Sequence, residues 1–177
     1  MLCSAYNTTA PPQFVLVLQA LEQIGAEMEI HNFDIRRDLD FYLEGDKVAF
    51  QESFPGIVIT HDLEREMRSS IAGITGSEDM AGYTALQDGV PIGSIVVCLQ
   101  WFYNLPQGYI DSIYVHAGHR KSGVAKELIT VSEKWALQKG ARSVRLDVSI
   151  ANSSAIAAYE SLGFVATRTQ MERSIQF

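Results

Sequence analysis

The sequence predicts an α+β fold, built as one domain of antiparallel strands with helices packed on them. Three apolar runs, Met80 to Leu86, Pro91 to Phe102 and Tyr109 to Val115, follow one another between turn residues and indicate an antiparallel meander. A helical pattern of about Gly123 to Lys139 and a β-rich run at Ala141 to Val148 come next, which is typical of a strand–helix–strand unit. The length of 177 residues suits one domain with a sizeable core.

Residues 1–25 predict a helical extension before a single domain at residues 26–177. Apolar residues at helical spacing run from Gln13 to Ile24, after two prolines and before Gly25, which is the usual arrangement of an amphipathic helix. The brief alternation in Glu27 to Phe33 then predicts the first strand of the domain.

Two helices are expected between this strand and the meander. Asp38 to about Phe50 has a helical pattern, despite Gly45 in its interior. The sequence at residues 53–56 contains Pro and Gly and breaks the pattern. A second helix is predicted to begin at a Thr60 cap and to run through Arg68.

Turn residues set the remaining boundaries. Gln87 to Gly89 and Asn104 to Gly108 have the composition of the two turns in the meander. Gly140 closes the long helix at its C-terminal end. Ser153 to Leu162 predicts a last helix, and Val165 to Phe177 predicts one or two last strands.

The totals exclude several classes of function. A net charge of −7 argues against a nucleic-acid binder, which would normally show a basic face. Cys3 and Cys98 form no motif, so we expect neither a disulfide framework nor a metal site, and Cys98 is expected to be a buried small hydrophobe. The apolar run Phe14 to Leu18 is too short for a membrane span and lacks the basic region of a signal peptide, so we expect a cytoplasmic protein.

The loop before the long helix predicts a phosphate-binding site. Free N–H groups in the first turn of a helix, with its positive dipole end, attract an anion. Gly123 would let the backbone approach a ligand without a Cβ in the way, while Arg120 and Lys121 add cationic side chains. The alternative is an ordinary strand-to-helix connection in which the glycine relieves crowding.

A second segment, Asn152 to Phe164, has the pattern of a short helix with polar groups at defined positions. Asn152 is suited to cap this helix or to exchange hydrogen bonds with an extended ligand. Tyr159 lies two turns inside. Taken alone, the segment is more simply interpreted as an amphipathic helix that ends at Gly163, with Tyr159 as a core aromatic.

Together, the two segments resemble the GNAT superfamily of acetyl-CoA-dependent N-acetyltransferases. Arg120-x-x-Gly123-x-Ala125 fits the superfamily's Gln/Arg-x-x-Gly-x-Gly/Ala loop, which wraps the CoA pyrophosphate. Asn152-x-x-Ala155-x-x-x-Tyr159-x-x-x-Gly163-Phe164 fits its C-terminal signature. The similarity covers about residues 80–170 well and residues 27–79 in coarse order only. Lys121 and Ser122 stand where many members show Gly and Lys, which changes the local charge.

The resemblance implies an α/β/α sandwich with a mixed, mostly antiparallel twisted sheet, a splayed central strand pair and flanking helices. It implies acetyl-CoA as cosubstrate, attacked directly by an amine, with Tyr159 as general acid to the departing CoA thiolate. Backbone groups of Ile113 and Val115 would bond to the pantetheine arm in the splay. The full set of cofactor-binding residues that it implies is Ile113, Tyr114, Val115, Arg120, Lys121, Ser122, Gly123, Val124, Ala125, Lys126, Asn152 and Tyr159.

The general base is harder to assign. Asp111, on the strand beside the expected thioester, is the first choice, because an amine is mostly protonated at neutral pH and must lose a proton. The equal alternative is a carboxylate that binds the substrate ammonium or only water. Tyr114, Glu160 and His116 are weaker candidates.

These observations predict an acyl-CoA N-acyltransferase that acetylates a primary amine of a small molecule or peptide. The alternative is a non-catalytic acyl-CoA-binding regulatory or sensor module. An acidic region could wall the acceptor and would suit a polycation or an aminoglycoside-like ligand, but it equally describes a solvated helical face; a protein N-terminus is another acceptor. Its members are Asp38, Asp40, Glu44, Asp46, Glu52, Asp62, Glu64 and Glu66. Pro91 to Phe102 and Val165 to Phe177 are candidates for a homodimer interface.

Overall fold

The structure is a computed structural model that describes residues 27–171, 173 and 175. The predicted helix Gln13 to Ile24 lies outside these residues, so the division into an extension and a domain stays a prediction. The elements are β1 Met28–Asn32, α1 Ile35–Ser53, α2 His61–Gly76, β2 Met80–Gln87, β3 Val90–Phe102, β4 Leu105–Val115, a 3₁₀ turn Ala117–His119, α3 Val124–Gln138, β5 Val144–Arg145 and α4 Ser153–Ser161.

The strands in this part of the chain form a sheet in the order β1-β2-β3-β4-β5. Strands β1 to β4 pair antiparallel with their sequence neighbours, whereas β5 pairs parallel with β4 across α3. This confirms the predicted α+β fold, with its meander and its strand–helix–strand unit. No helix of the described residues is long and apolar enough to span a membrane.

Helices cover both faces of the sheet. On one face, Val124 and Leu128 of α3 pack against Ile95; on the other, Ile71 of α2 packs with Val96. Ile95 and Val96 are neighbours in β3 and are both fully buried, because successive side chains of a strand point to opposite faces. The predicted α/β/α sandwich is therefore confirmed, with a separate apolar cluster on each side of the sheet.

A buried carboxylate anchors the start of α1. Asp34 caps the helix by accepting from the Arg36 N–H, as a good N-cap does. The fully buried Asp38 accepts from the Asp34 N–H at 2.9 Å and from Thr84 Oγ1 of β2 at 2.7 Å, and it pairs with Arg37. These hydrogen bonds tie the N-terminal end of α1 to the sheet and compensate for the buried charge of Asp38.

The interior glycine of α1 has a tertiary explanation. A Cβ built on Gly45 would lie 2.5 Å from the Cδ1 and Cγ atoms of Tyr114 and 2.8 Å from its Cβ. The Tyr114 ring also contacts Phe41, with 5.5 Å between ring centroids. Gly45 therefore lets α1 lie close against β4, and β4 is the strand that carries the candidate site.

The turn between β3 and β4 is shorter than predicted. The chain turns at Tyr103 and Asn104, whose φ angles are 50° and 61°, and β4 begins at Leu105. The predicted turn ran from Asn104 through Gly108 and included Pro106. This proline lies opposite Trp101 at a position where its missing N–H would point away from β3, so the ladder loses no hydrogen bond there.

Strand predictions after α3 are mostly wrong. The expected strand Ala141 to Val148 is reduced to Val144–Arg145, and residues 165–171, 173 and 175 contain no strand. A β-rich sequence becomes a strand only where a neighbour supplies hydrogen bonds and burial. Here β5 pairs only with Gly108 and Tyr109, and the side chains of Val165 and Ile175 are exposed.

Candidate active site

An open edge of β4 forms the floor of the candidate site. The parallel pairing of β4 with β5 ends at Tyr109, and beyond this pair the two strands are no longer hydrogen-bonded to each other. The His116 N–H donates to Ile92 O of β3 at 2.9 Å. Because alternate residues of an antiparallel strand bond to opposite sides, the backbone groups of Val115 and Ile113 face the open edge. An extended amide ligand could pair there as an additional strand.

A bulge marks the position of Asp111 on this strand. The register of β3 and β4 shifts between Val96 and Val97, so that Asp111 is the extra residue. Bulges bend a strand and redirect its side chains, and they are common beside active sites. The bulge lies just past the last pair with β5, where the strands begin to separate.

The loop before α3 presents an uncapped helix N-terminus. Gly123 is the N-cap residue, and no side chain bonds to the first-turn N–H groups. The helix is well anchored, since Val124 and Leu128 are buried in the core. Free amides and the helix dipole attract an anion to such an end, and the phosphate site at this loop stays a prediction.

Gly123 is required by backbone conformation and not by crowding. Its φ angle is 91°, and Lys121 in the same loop has a φ of 63°. No heavy atom lies within 4 Å of the place where a Cβ on Gly123 would be. This geometry removes the alternative in which the glycine relieves a contact with the rest of the protein. Ser122 stabilises the loop by donating from Oγ to His119 O at 2.6 Å.

The Arg120 side chain is already engaged within the protein. Its Nε donates to Val115 O at 3.3 Å, and its Nη2 lies 3.5 Å from Oε1 of Glu52 in the last turn of α1. The sequence predicted that Arg120 adds a cationic side chain where a phosphate would lie, and this stays a prediction. In the structure, the guanidinium lies beside the open edge of β4 and links the loop to α1.

The last helix carries Asn152 at its N-cap and Tyr159 two turns further along. Asn152 caps α4, since its Oδ1 accepts from Ala155 N at 3.1 Å and from Ser154 Oγ at 3.0 Å. Tyr159 is half-buried, with its ring edge-on to Phe164. Burial raises the pKa of the Tyr159 hydroxyl, and the nearby charge of Glu52 raises it further. The C-terminal helix and the loop before α3 therefore meet around Glu52.

Two carboxylates from distant segments of the chain interact electrostatically, Asp111 on β4 and Asp46 on α1. Asp111 is exposed in the open cleft, yet the surrounding protein removes enough hydration to raise its pKa. Burial and the charge of Asp111 raise the pKa of Asp46 on α1. Burial and then the charge of Asp46 raise the pKa of Tyr42, which also shares a hydrogen bond with Ser112.

The weaker candidates for the base lie elsewhere. The Tyr114 ring packs on Gly45, and His116 Nδ1 accepts from the Gly118 N–H at 3.3 Å in the loop. Glu160 is exposed on α4. Among the residues that the structure describes, no cluster of three or more His, Cys, Asp or Glu side chains could hold a metal ion.

Sequence reasoning did not single out Asp46 or Glu52. Both belong to the acidic region, but no local signal distinguishes them from its other members. Asp38 of that region is bonded to the sheet, and Glu64 and Asp62 pair with Lys47 and Arg65. The difference between these acids arises only from packing.

Comparison with known proteins agrees with the geometry. The model of the acetyltransferase (GNAT) family matches residues 48–164. An aminoglycoside N(6′)-acetyltransferase type 1 of Salmonella typhimurium is 30% identical over 99 residues, which cover 53% of this chain and 68% of the relative. An N-alpha-acetyltransferase of Sulfurisphaera tokodaii is 29% identical over 149 residues, which cover 79% of this chain and 81% of the relative.

A solved structure shares the fold at low sequence identity. It is an aminoglycoside N-acetyltransferase in complex with CoA, with a TM-score of 0.65 and 23% identity. The match covers 86% of this chain and 97% of the other. At this identity, the similarity supports the fold alone.

Proposed function

The chain belongs to the acetyltransferase (GNAT) family, and we propose that it moves the acetyl group of acetyl-CoA to a primary amine of a small molecule or peptide. In this proposal, the amine attacks the thioester directly, without an acyl-enzyme. Tyr159, as general acid, donates a hydrogen bond to the departing CoA thiolate, and Asp111 removes the proton of the amine.

One arrangement carries the proposal: the open edge of β4 runs directly to the uncapped N-terminus of α3. Acetyl-CoA is an extended molecule with amide groups in its pantetheine arm and a diphosphate beyond them. The backbone of Ile113 and Val115 matches the amides, and the N–H groups of residues 121–126 match the diphosphate. The match of residues 48–164 to the acetyltransferase (GNAT) family supports acetyl-CoA as the cosubstrate.

Tyr159 suits a donor to a thiolate. Burial and the charge of Glu52 raise the pKa of its phenol, so the group keeps its proton at neutral pH. An ordinary thiol has a pKa of about 8.5, so full transfer from the phenol is uphill and a strong hydrogen bond in the transition state is the expected contribution. Because the phenol already carries its proton at neutral pH, no proton has to be added to it before it can act as a donor.

Asp111 suits a base, and Asp46 lies close enough to respond to its charge. Reduced hydration raises the pKa of Asp111, which makes its carboxylate a better proton acceptor than an ordinary one. The charge of Asp111 acts on Asp46 in the same partly desolvated space. Two such carboxylates attract a cationic amine, so we propose that the acceptor enters between α1 and β4 as an ammonium ion.

The acceptor class follows from the same feature. The relatives named above act on an aminoglycoside and on an N-alpha amine, and another relative, from Escherichia coli, is a streptothricin acetyltransferase. All of these acceptors are amines. The Asp46 and Asp111 pair favours an acceptor with more than one positive charge.

An acetyl-transfer screen tests the function. The release of free CoA thiol would be followed with a thiol-reactive dye, with polyamines, aminoglycosides, amino acids and N-terminal peptides as acceptors. We expect turnover with at least one polycationic amine. If acetyl-CoA raises the melting temperature but is consumed with none of the acceptors, the chain is instead a binding or sensor module.

Tyr159→Phe tests the proposed proton donor. Because only the hydroxyl is removed, turnover should fall by about 100-fold or more, while the Kd for CoA stays unchanged in calorimetry. Tyr103→Phe, on the exposed turn between β3 and β4, is the matched control and should keep full activity. Unchanged turnover of the Tyr159 variant would remove this residue from the chemistry.

The homodimer, the cytoplasmic location and the separate extension at residues 1–25 stay predictions. Sedimentation of the full chain would test the first. The side chains of Trp101 and Leu105, in the hairpin of β3 and β4, are exposed. If the dimer forms through this hairpin, substitution of these residues should reduce the fraction of dimer.

A further inference from the structure

The Arg120 guanidinium occupies a backbone acceptor that the cosubstrate needs. Val115 O faces the open edge of β4, where the proposed function places the pantetheine arm. In the structure, Arg120 Nε donates to this oxygen at 3.3 Å. The same guanidinium stands at the entrance to the loop whose amides would bind the diphosphate. We expect binding of acetyl-CoA to displace Arg120 from this position, because the guanidinium lies where the pantetheine arm would pair with β4.

Glu52 is the charged partner that holds Arg120 there. Its Oε1 lies 3.5 Å from Arg120 Nη2, and it belongs to the last turn of α1, 68 positions away in the sequence. The Glu52 charge also contributes, after burial, to the raised pKa of the Tyr159 hydroxyl. The carboxylate thus lies between the loop before α3 and the tyrosine of α4.

We propose that Glu52 sets the affinity of this site for acetyl-CoA, by holding Arg120 on Val115 O until the cosubstrate diphosphate takes the place of Glu52. This inference rests on the proposed function, since it assumes that the loop binds the diphosphate. It adds a residue outside both sequence motifs to the determinants of cosubstrate binding.

The charges favour the exchange once the cosubstrate arrives. A diphosphate carries two negative charges against one on Glu52, and a guanidinium binds phosphate oxygens with two parallel hydrogen bonds. The pair with Glu52 is half-exposed, with side-chain exposures of 47% and 43%, so it is weak and separates readily. Its presence nevertheless subtracts from the binding free energy, because each binding event must break it.

Removal of the competing carboxylate should tighten binding. We expect Glu52→Gln to lower the Kd for CoA by about threefold, the effect of a typical exposed ion pair, in calorimetry at about 0.15 M salt. Glu133→Gln, an exposed position of α3 that removes the same charge, is the control and should leave the Kd unchanged. Glu52→Asp keeps the charge but shortens the side chain, so it should also tighten binding.

An Arg120→Gln background distinguishes loss of the contact between Glu52 and Arg120 from a general effect of removing the negative charge of Glu52. There, Glu52→Gln should no longer change the Kd for CoA. The inference is overturned if Glu52→Gln still tightens CoA binding in the Arg120→Gln background. It is also overturned if the Kd of the Glu52→Gln protein for CoA equals or exceeds that of the wild type. Failure of the wild type to bind CoA would instead overturn the proposed function. Melting curves of each variant establish that it is folded before the comparison.

Discussion

Replacement of Gly45 by alanine should destabilise the protein, although it improves the helix. Gly45 lies inside α1, where alanine is favoured over glycine by about 1 kcal/mol. The added Cβ, however, would stand 2.5 Å from the Cγ and Cδ1 atoms of Tyr114 and 2.8 Å from its Cβ. Because the Tyr114 Cβ is fixed to the backbone of β4, rotation of the ring cannot relieve the contact, and α1 must move away from the strand.

The expected magnitude follows from these two opposing effects. An overpacked contact costs about 1–3 kcal/mol, and the involvement of the Tyr114 Cβ places this one in the upper half. After subtraction of the gain in helix propensity, the free energy of unfolding should fall by about 1–2 kcal/mol. Since Asp46 is the next residue on α1, the shift should also raise the KM for the acceptor amine.

Urea unfolding measures the change, with the slope of the transition checked against the wild type. Gly76→Ala is the matched control, because Gly76 is also helical and a Cβ there would have no neighbour within 4 Å; this variant should be neutral or slightly more stable. In a Tyr114→Gly background, which removes the Cβ as well as the ring, Gly45→Ala should become stabilising. A Gly45→Ala protein as stable as the wild type would refute the reasoning.

Two further predictions concern carboxylates. Burial acts to raise the pKa of Asp38, but hydrogen bonds from Arg37, the Asp34 amide and Thr84 outweigh it, so the pKa is lowered. This group therefore stabilises the fold above its unfolded-state pKa of about 4 and loses that effect as the pH falls through the lowered folded value. Thr84→Val should cost about 1–3 kcal/mol in urea unfolding at neutral pH, with a difference from the wild type that shrinks in acid; a constant difference would contradict this account. For Asp111, whose pKa is raised by reduced hydration, kcat/KM should fall as the pH drops through that value. Asp111→Asn should lower the rate and abolish this fall of kcat/KM at low pH. The acceptor amine titrates equally with both enzymes, so its own protonation cancels in the ratio of the variant rate to the wild-type rate. A ratio that does not change with pH would exclude Asp111 as the base.

Local patterns predicted most of the helices and the position of the loop before α3. Thr60 and Asn152 are N-caps, as expected, because capping depends on hydrogen bonds within one helical turn. Gly123 was correctly placed at the start of α3, where a φ of 91° excludes most other residues. Such features depend on neighbours in sequence and can therefore be read from it.

Predictions failed where a partner distant in sequence decides the outcome. The run Ala141 to Val148 has the composition of a strand, but β4 pairs with only two of its residues. Pro106 was interpreted as part of a turn, although its position in the hairpin makes the missing N–H harmless. Neither outcome depends on the residues themselves, since each follows from the register of a neighbouring strand.

The sequence by itself determined the α+β class, the order of the elements and the two segments that identify the family, because helical caps, alternation and glycine positions act over a few residues. Only the tertiary structure decided which acids surround the site. Asp46 meets Asp111, and Glu52 meets Arg120, across 65 and 68 positions of the chain, and both pairs exist because α1 packs against β4 over Gly45. Electrostatic interactions depend on distance in space, and that distance is fixed by the packing of helix on sheet.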